Sequence, residues 1–125
     1  MLKDIETRHE LSVIMKQFYE KLLADSSIAY IFTDVAKIDL EVHLPHLVDF
    51  WSLLLLGEAG YKKNVTQVHL DLHQKSPLQK THFNTWLQHF NASVDELHSG
   101  PKADEMKSRA HSIAVMMMAK MQLLV

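Results

Sequence analysis

HLPHLVDFWSLLLLGEAGY, residues 43–61, is the stretch from which the rest of the chain is read. With Leu40 ahead of it, Leu44, Leu47, Phe50, Trp51, Leu54 and Leu55 recur at three- and four-residue intervals, the spacing that lines one side of an α-helix. Gly57 closes the run, and a residue without Cβ readily takes the left-handed conformation of a helix C-cap. Pro45 has no amide proton and crowds the turn before it. The helix is therefore expected to start close to Pro45 or to have a distorted first turn.

The same periodicity extends outward. From Arg8 to Ala24 the residues Leu11, Ile14, Met15, Phe18 and Leu22 define a buried stripe with Tyr19 at its edge. Ala29-Tyr30-Ile31-Phe32 forms a short connection to the central helix. Beyond the GEAGYKK loop, Asn64 followed by Gln67 resembles a capping box for a short helix that carries Val65, Val68 and Leu72 and ends before Ser76. Ser76-Pro77-Leu78-Gln79 predicts the next start, with Ser76 as N-cap and Pro77 at the first helical position. That helix would bury Leu78, Phe83, Trp86, Leu87, Phe90, Val94 and Leu97. Gly100-Pro101 then begins the last one, in which Asp104 and Glu105 favour the N-terminal dipole and Met106, Ala110, Ile113, Met117, Met121 and Leu124 form the stripe. No segment alternates with a period of two, and no internal repeat is found. The expected class is all-α.

With 125 residues, 47% hydrophobic and 22% charged, residues 1–125 have the size and mixture of one domain. A formal charge of -2, with both signs spread along the chain, offers no electrostatic footprint for nucleic acid or an anionic membrane. No cysteine is present, which excludes disulfides, thiolate nucleophiles, iron–sulfur clusters and thioether-attached haem. The N-terminal MLKDIETRHE has no apolar signal core, and the apolar run from Phe50 to Leu56 is too short to cross a bilayer. A cytoplasmic location is the resulting expectation.

The nine histidines are the unusual feature, several of them in close pairs: His43 with His46, His69 with His73, and His82 with His89. Histidines three or four apart share a helix face and can chelate a divalent ion such as zinc or nickel, so a haem-free metal-binding helical protein is one reading. The Met116-Met117-Met118 run reads as core and helix face, since methionine fills irregular gaps.

Three phrases favour another reading. FYEKLLAD, HLPHLVDFWSLLLLGEAGY, and VHLDL followed by PLQKTHFNTWLQHF resemble, in order and spacing, the third group of truncated haemoglobins, and together cover most of residues 15 to 95. The lack of glycine pairs used by other truncated globins fits the same group. The resemblance implies a truncated globin fold, a shortened two-over-two helical sandwich around one haem b (iron protoporphyrin IX). It implies binding of O2, NO and CO, with roles in oxygen or nitric oxide chemistry or in oxygen binding at low oxygen. Nitric oxide dioxygenase or peroxidase-like turnover would need a separate reductase. Gas sensing is a further alternative, without an accompanying output domain. A monomer or weak homodimer is expected.

Haem iron needs a neutral imidazole nitrogen from a short helix below it. The family's proximal histidine stands in an H-x-x-L phrase after a GY loop, which His69-Leu70-Asp71-Leu72 reproduces after Gly60-Tyr61. His73 lies at the interval many relatives show before the PL and HF phrases. His69 is favoured because the sequence leading into it matches without gaps from Phe50 onward. On the other side of the haem, the matching polar positions are Tyr19, His43 and Trp86. A buried Tyr hydroxyl needs a partner that bound oxygen can supply, and the Trp indole is a donor only. His43 is chosen over His46 by its distance from Phe50-Trp51. Phe32 would pack on the porphyrin, with Leu47, Phe50, Trp51 and Leu54 lining the pocket.

Overall fold

The computed structural model describes residues 2–58, 72–73 and 76–123. Helix α1 spans Arg8–Ala24 and opens with a capping box in which Thr7 Oγ1 accepts from the Glu10 amide at 3.3 Å and the Glu10 carboxylate accepts from the Thr7 amide at 2.9 Å. Its buried stripe holds Leu11, Ile14, Met15, Phe18 and Leu22 as expected, and also Tyr19. Tyr19 is a core residue, 4% exposed, and not an edge residue. The connection after α1 widens into a π-helical turn, Ile31–Val35, which places Phe32 against the core.

Helix α2 spans Leu40–Leu56, with Asp39 as N-cap accepting from the Glu41 amide at 3.1 Å. The helix thus begins well before Pro45, which lies inside it. The proline is tolerated because it falls soon after the cap, where it removes a single intrahelical donor near the naturally unpaired ones. Gly57 ends the helix at φ 70°, in the left-handed C-cap conformation its sequence position predicts.

The deepest face of α2 runs through Val48, Trp51, Ser52 and Leu55, while Leu40, Leu44, Leu47, Phe50 and Leu54 are half-buried. The apolar arc is wider than one contact face: its centre lies in the core, and its half-buried edges pack against that core.

Helix α3 spans Lys80–Leu97, starting later than the Ser76-Pro77 signal predicts. The N-cap is Gln79, in extended conformation at φ -113° and ψ 160°. The difference has a local cause. The Leu78 amide donates to Nδ1 of His73 at 2.9 Å and the Gln79 amide to Nδ1 of His82 at 3.0 Å, so the chain's first orphan donors are already satisfied by ring nitrogens. Leu78 is buried ahead of the helix rather than within it. The short helix expected from Asn64 lies, apart from the helical pair Leu72 and His73, outside the described residues.

Helix α4, Pro101–Lys120, has Pro101 at its first position as expected. Its cap comes from the other end of the chain. The two carboxylate oxygens of Asp4 accept from the Lys102 and Ala103 amides at 2.9 Å each. Gly100 lies between them at φ 142°, and a Cβ there would come within 2.6 Å of Asp4 Cγ. Leu124, assigned to the stripe of this helix, lies outside the described residues.

The helices pair α1 with α2 and α3 with α4, and α1 crosses onto α3, giving a two-over-two helical sandwich. Among the described residues there is no strand. The joint is aromatic: the Phe18 ring meets the rings of Tyr19, Trp86 and Phe90 edge-on at centroid distances of 5.4, 5.5 and 5.2 Å. Polar ties fix the perimeter. Arg8 pairs with Asp49, His89 with Asp25 at 2.7 Å, and the Lys102 ammonium with the Leu55 carbonyl at 2.8 Å.

Candidate functional site

One edge of the α2 arc faces a cavity of about 440 Å³ between the two helix pairs. From α1 come Met15, Phe18 and Tyr19, from the π-helical turn Phe32, and from α2 His43, His46, Leu47, Phe50 and Trp51. Helix α3 adds His82, Phe83, Trp86 and Phe90, and Ile113 and Met117 of α4 close the far side. The wall is predominantly apolar, and its polar side chains are Tyr19, three histidines and the indoles of Trp51 and Trp86.

Tyr19 and His43, on different helices, meet inside this cavity with the hydroxyl 2.9 Å from Nε2. Both rings are held edge-on: Tyr19 against Phe32 at 5.5 Å and against His43 at 5.4 Å. Burial pushes the Tyr19 phenol above its ordinary pKa, so it stays a neutral hydroxyl across the physiological range. Trp86 stacks on Phe90 at 5.3 Å with an interplanar angle of 20°, and its indole N–H makes no hydrogen bond among the described residues.

The fold therefore brings Tyr19, Phe32, His43, Leu47, Phe50, Trp51 and Trp86 to one cavity. Leu54 is half-buried and is not among the described residues that line it. His69 lies outside the described residues. His73 is half-buried, with its Nδ1 accepting from Leu78.

The third histidine pair separates. His82 turns to Tyr30, whose hydroxyl is 3.0 Å from its Nε2, whereas His89 is engaged by Asp25 on the outside of α3. Among the described residues no three side chains of His, Asp or Glu converge as a set for a metal ion, and no helix is long and apolar enough to cross a membrane.

His46 and His82 are cavity residues that the sequence did not assign to the pocket, and Met15, Phe83 and Phe90, read from the periodicity as core, line it as well. The three-residue spacing from His43 signalled that His46 shares its helix face. Nothing local signalled His82, whose place depends on where α3 begins.

Comparison with known proteins agrees with this architecture. Residues 3–122 match the pattern of the bacterial-like globin family. The chain is 27% identical over 110 residues to a group 3 truncated hemoglobin of Campylobacter jejuni, a match covering 86% of this chain and 84% of that one. The crystal structure of a group III truncated hemoglobin from Campylobacter jejuni superimposes with a TM-score of 0.86 at 24% identity, covering 97% of this chain and 95% of the other. The two-over-two sandwich is thus the truncated globin fold. With a family pattern running through all four long helices and the cavity between them, the chain belongs to the bacterial-like globins, a membership that implies a haem-binding, gas-binding protein.

Proposed function

We propose that this chain is a single-domain haem b globin that binds O2, and with it NO and CO, against a polar distal wall formed by Tyr19, His43 and Trp86. The observation that carries this reading is the buried Tyr19 hydroxyl, hydrogen-bonded to His43 inside a predominantly apolar cavity. Ordinary core packing would use phenylalanine at that position and avoid burying a polar group.

The residues present suit a porphyrin. The cavity of about 440 Å³ falls in the range of about 300–1,000 Å³ usual for cofactor pockets, and its wall is mostly aromatic and aliphatic with few convergent polar groups. Phe32, Leu47, Phe50 and Trp51 would pack on the macrocycle. Haem iron supplies the gas-binding position once bound.

His69 would hold the iron. His73 is the poorer ligand, because its Nδ1 lone pair already accepts from the Leu78 amide, which in a neutral imidazole leaves the proton on Nε2 and no lone pair free.

The distal wall acts through one proton. When Nε2 of His43 carries hydrogen, His43 donates to the Tyr19 oxygen, and the phenolic hydrogen is free to be donated into the cavity. Each group in such a chain polarises the next. Trp86 supplies a second donor from α3. Donors of this kind retain O2, which suits oxygen or nitric oxide chemistry with a separate reductase better than rapid delivery.

The test is an absorption titration of the purified protein with haemin, before and after dithionite. A Soret band that saturates at one haem per chain is expected. Haem uptake without saturation, or no Soret band at all, would reject the proposal.

A further inference from the structure

Two consecutive amides ahead of α3 are held by histidine rings, where carboxylate or hydroxyl oxygens are the usual partners. The Leu78 amide donates to Nδ1 of His73 and the Gln79 amide to Nδ1 of His82, at 2.9 and 3.0 Å. A ring nitrogen accepts only while its lone pair is free, so the second bond exists only for a neutral His82 with its proton on Nε2. That Nε2 lies 3.0 Å from the Tyr30 hydroxyl, whose oxygen then accepts from it. Both nitrogens of His82 are committed in the neutral state. The same ring lines the cavity, and Phe83 and Trp86 follow it along α3 as part of the cavity wall.

We propose that neutral His82 is a positioning residue that seats the start of α3 at the cavity, and that protonating it releases the Gln79 amide and loosens this wall. An imidazolium has N–H at both positions, so Nδ1 would face the Gln79 amide donor to donor. The bond to Tyr30 survives protonation, so the change is confined to the helix start.

The surroundings oppose the charge. Tyr30 faces His82 from the turn before the π-helical turn, and His43 and His46 of α2 line the same cavity. Helix α1 presents Tyr19 and apolar side chains to that cavity, helix α4 only apolar ones, and Lys80 is near on α3 itself. Among the described residues no carboxylate pairs with His82, and burial holds its pKa below the ordinary histidine value. The folded state thus favours the neutral ring. Its contribution is present above the ordinary histidine pKa and is lost as pH falls through the lowered folded value.

The amide consequence stands on the fold alone, whereas the consequence for haem retention rests on the proposed function. The experiment compares the wild-type full chain with His82→Asn, whose Oδ1 can replace Nδ1 as an acceptor without titrating, and with His82→Leu, which has no acceptor. Hydrogen-exchange protection of the Gln79 amide is measured by NMR at pH 7.5 and pH 5. Haem transfer to apomyoglobin is followed at the same two values. In the wild type, protection should fall about tenfold on acidification, the cost of one lost hydrogen bond. His82→Asn should keep its protection at both values, and its haem loss should accelerate less with acid than that of the wild type. His82→Leu should lack protection at both. If that variant does not fold, the wild type and His82→Asn still decide the matter. Equal acid sensitivity of Gln79 in wild type and His82→Asn, or undiminished wild-type protection at pH 5, would overturn the proposal. A failure of haem uptake would leave the amide result intact and count only against the function proposed above.

Discussion

The Tyr19 hydroxyl and Nε2 of His43 stand 2.9 Å apart although the two residues belong to different helices, and they share a cavity walled by Phe18, Phe32, Phe50 and Trp86. The pair joins α1 to α2 through a polar contact at the place where both helices turn from the core to the cavity. Its effect on a bound gas can be isolated, because Phe in place of Tyr19 keeps the ring packing and removes only the oxygen.

Tyr19→Phe should retain haem but release O2 faster by about one to two orders of magnitude, since a hydrogen bond to a charged acceptor contributes about 1.5–3 kcal/mol. Stopped-flow displacement of O2 by CO measures the rate. An unchanged rate would show that the hydroxyl does not reach the ligand.

The iron ligand is tested by two substitutions one helical turn apart. His69→Ala should abolish the five-coordinate ferrous spectrum, and His73→Ala should preserve it while weakening the segment before α3 through loss of the Leu78 contact. The reverse result would transfer the proximal role to His73.

Asp4 ties the N-terminal segment to α4, and Asp4→Ala should lower unfolding stability by about 1–2 kcal/mol, as expected for loss of a helix N-cap. Burial alone would raise the Asp4 pKa. The amides of Lys102, Ala103 and Ile5 and the charge of Lys102 outweigh it and hold the carboxyl below its ordinary value. Its contribution is therefore present above the ordinary carboxylate range and disappears as pH falls through the lowered folded value. Urea melts of both proteins should converge in strong acid. Gly100→Ala should also destabilise, because a Cβ would collide with Asp4 and the backbone lies at φ 142°.

Asp25 provides a second acid-sensitive joint. The Ser27 hydroxyl, then His89, then the Ser27 amide lower its pKa to about 2. The carboxylate form thus stabilises the fold above the ordinary Asp pKa, and that contribution is lost as pH falls through about 2. The melting temperature of Asp25→Asn should be lower than wild type at pH 6 and fall less steeply between pH 4 and pH 2. Parallel curves from calorimetry would show that ionisation of Asp25, with its Ser27 and His89 partners, does not couple to folding.

The long helices were legible because their evidence is local. In α1 the three- and four-residue spacing of Leu11, Ile14, Phe18 and Leu22 anticipates the buried stripe, and Gly57 and Pro101 mark an end and a start through backbone properties of their own. Of the positions carried by the family resemblance, Tyr19, Phe32, His43, Leu47, Phe50, Trp51 and Trp86 line one cavity, whereas His69 lies outside the described residues. Less could be read where local signals competed. Ser76-Pro77 is a sound helix start in isolation, yet the side chains of His73 and His82 occupy the amides on either side of Leu78 and move the start to Lys80.

Periodicity and capping chemistry act over a few residues, and from them follow the all-helical class, the order of the long helices and the apolar faces available for burial. Which edge of the α2 arc would wall a cavity, how deep Tyr19 would sit, and that Asp4 would cap a helix at the far end of the chain were decided by packing. Those outcomes depend on contacts between residues distant in sequence. An amphipathic pattern states that a face is buried, but the neighbour that buries it exists only once the helices have closed on one another.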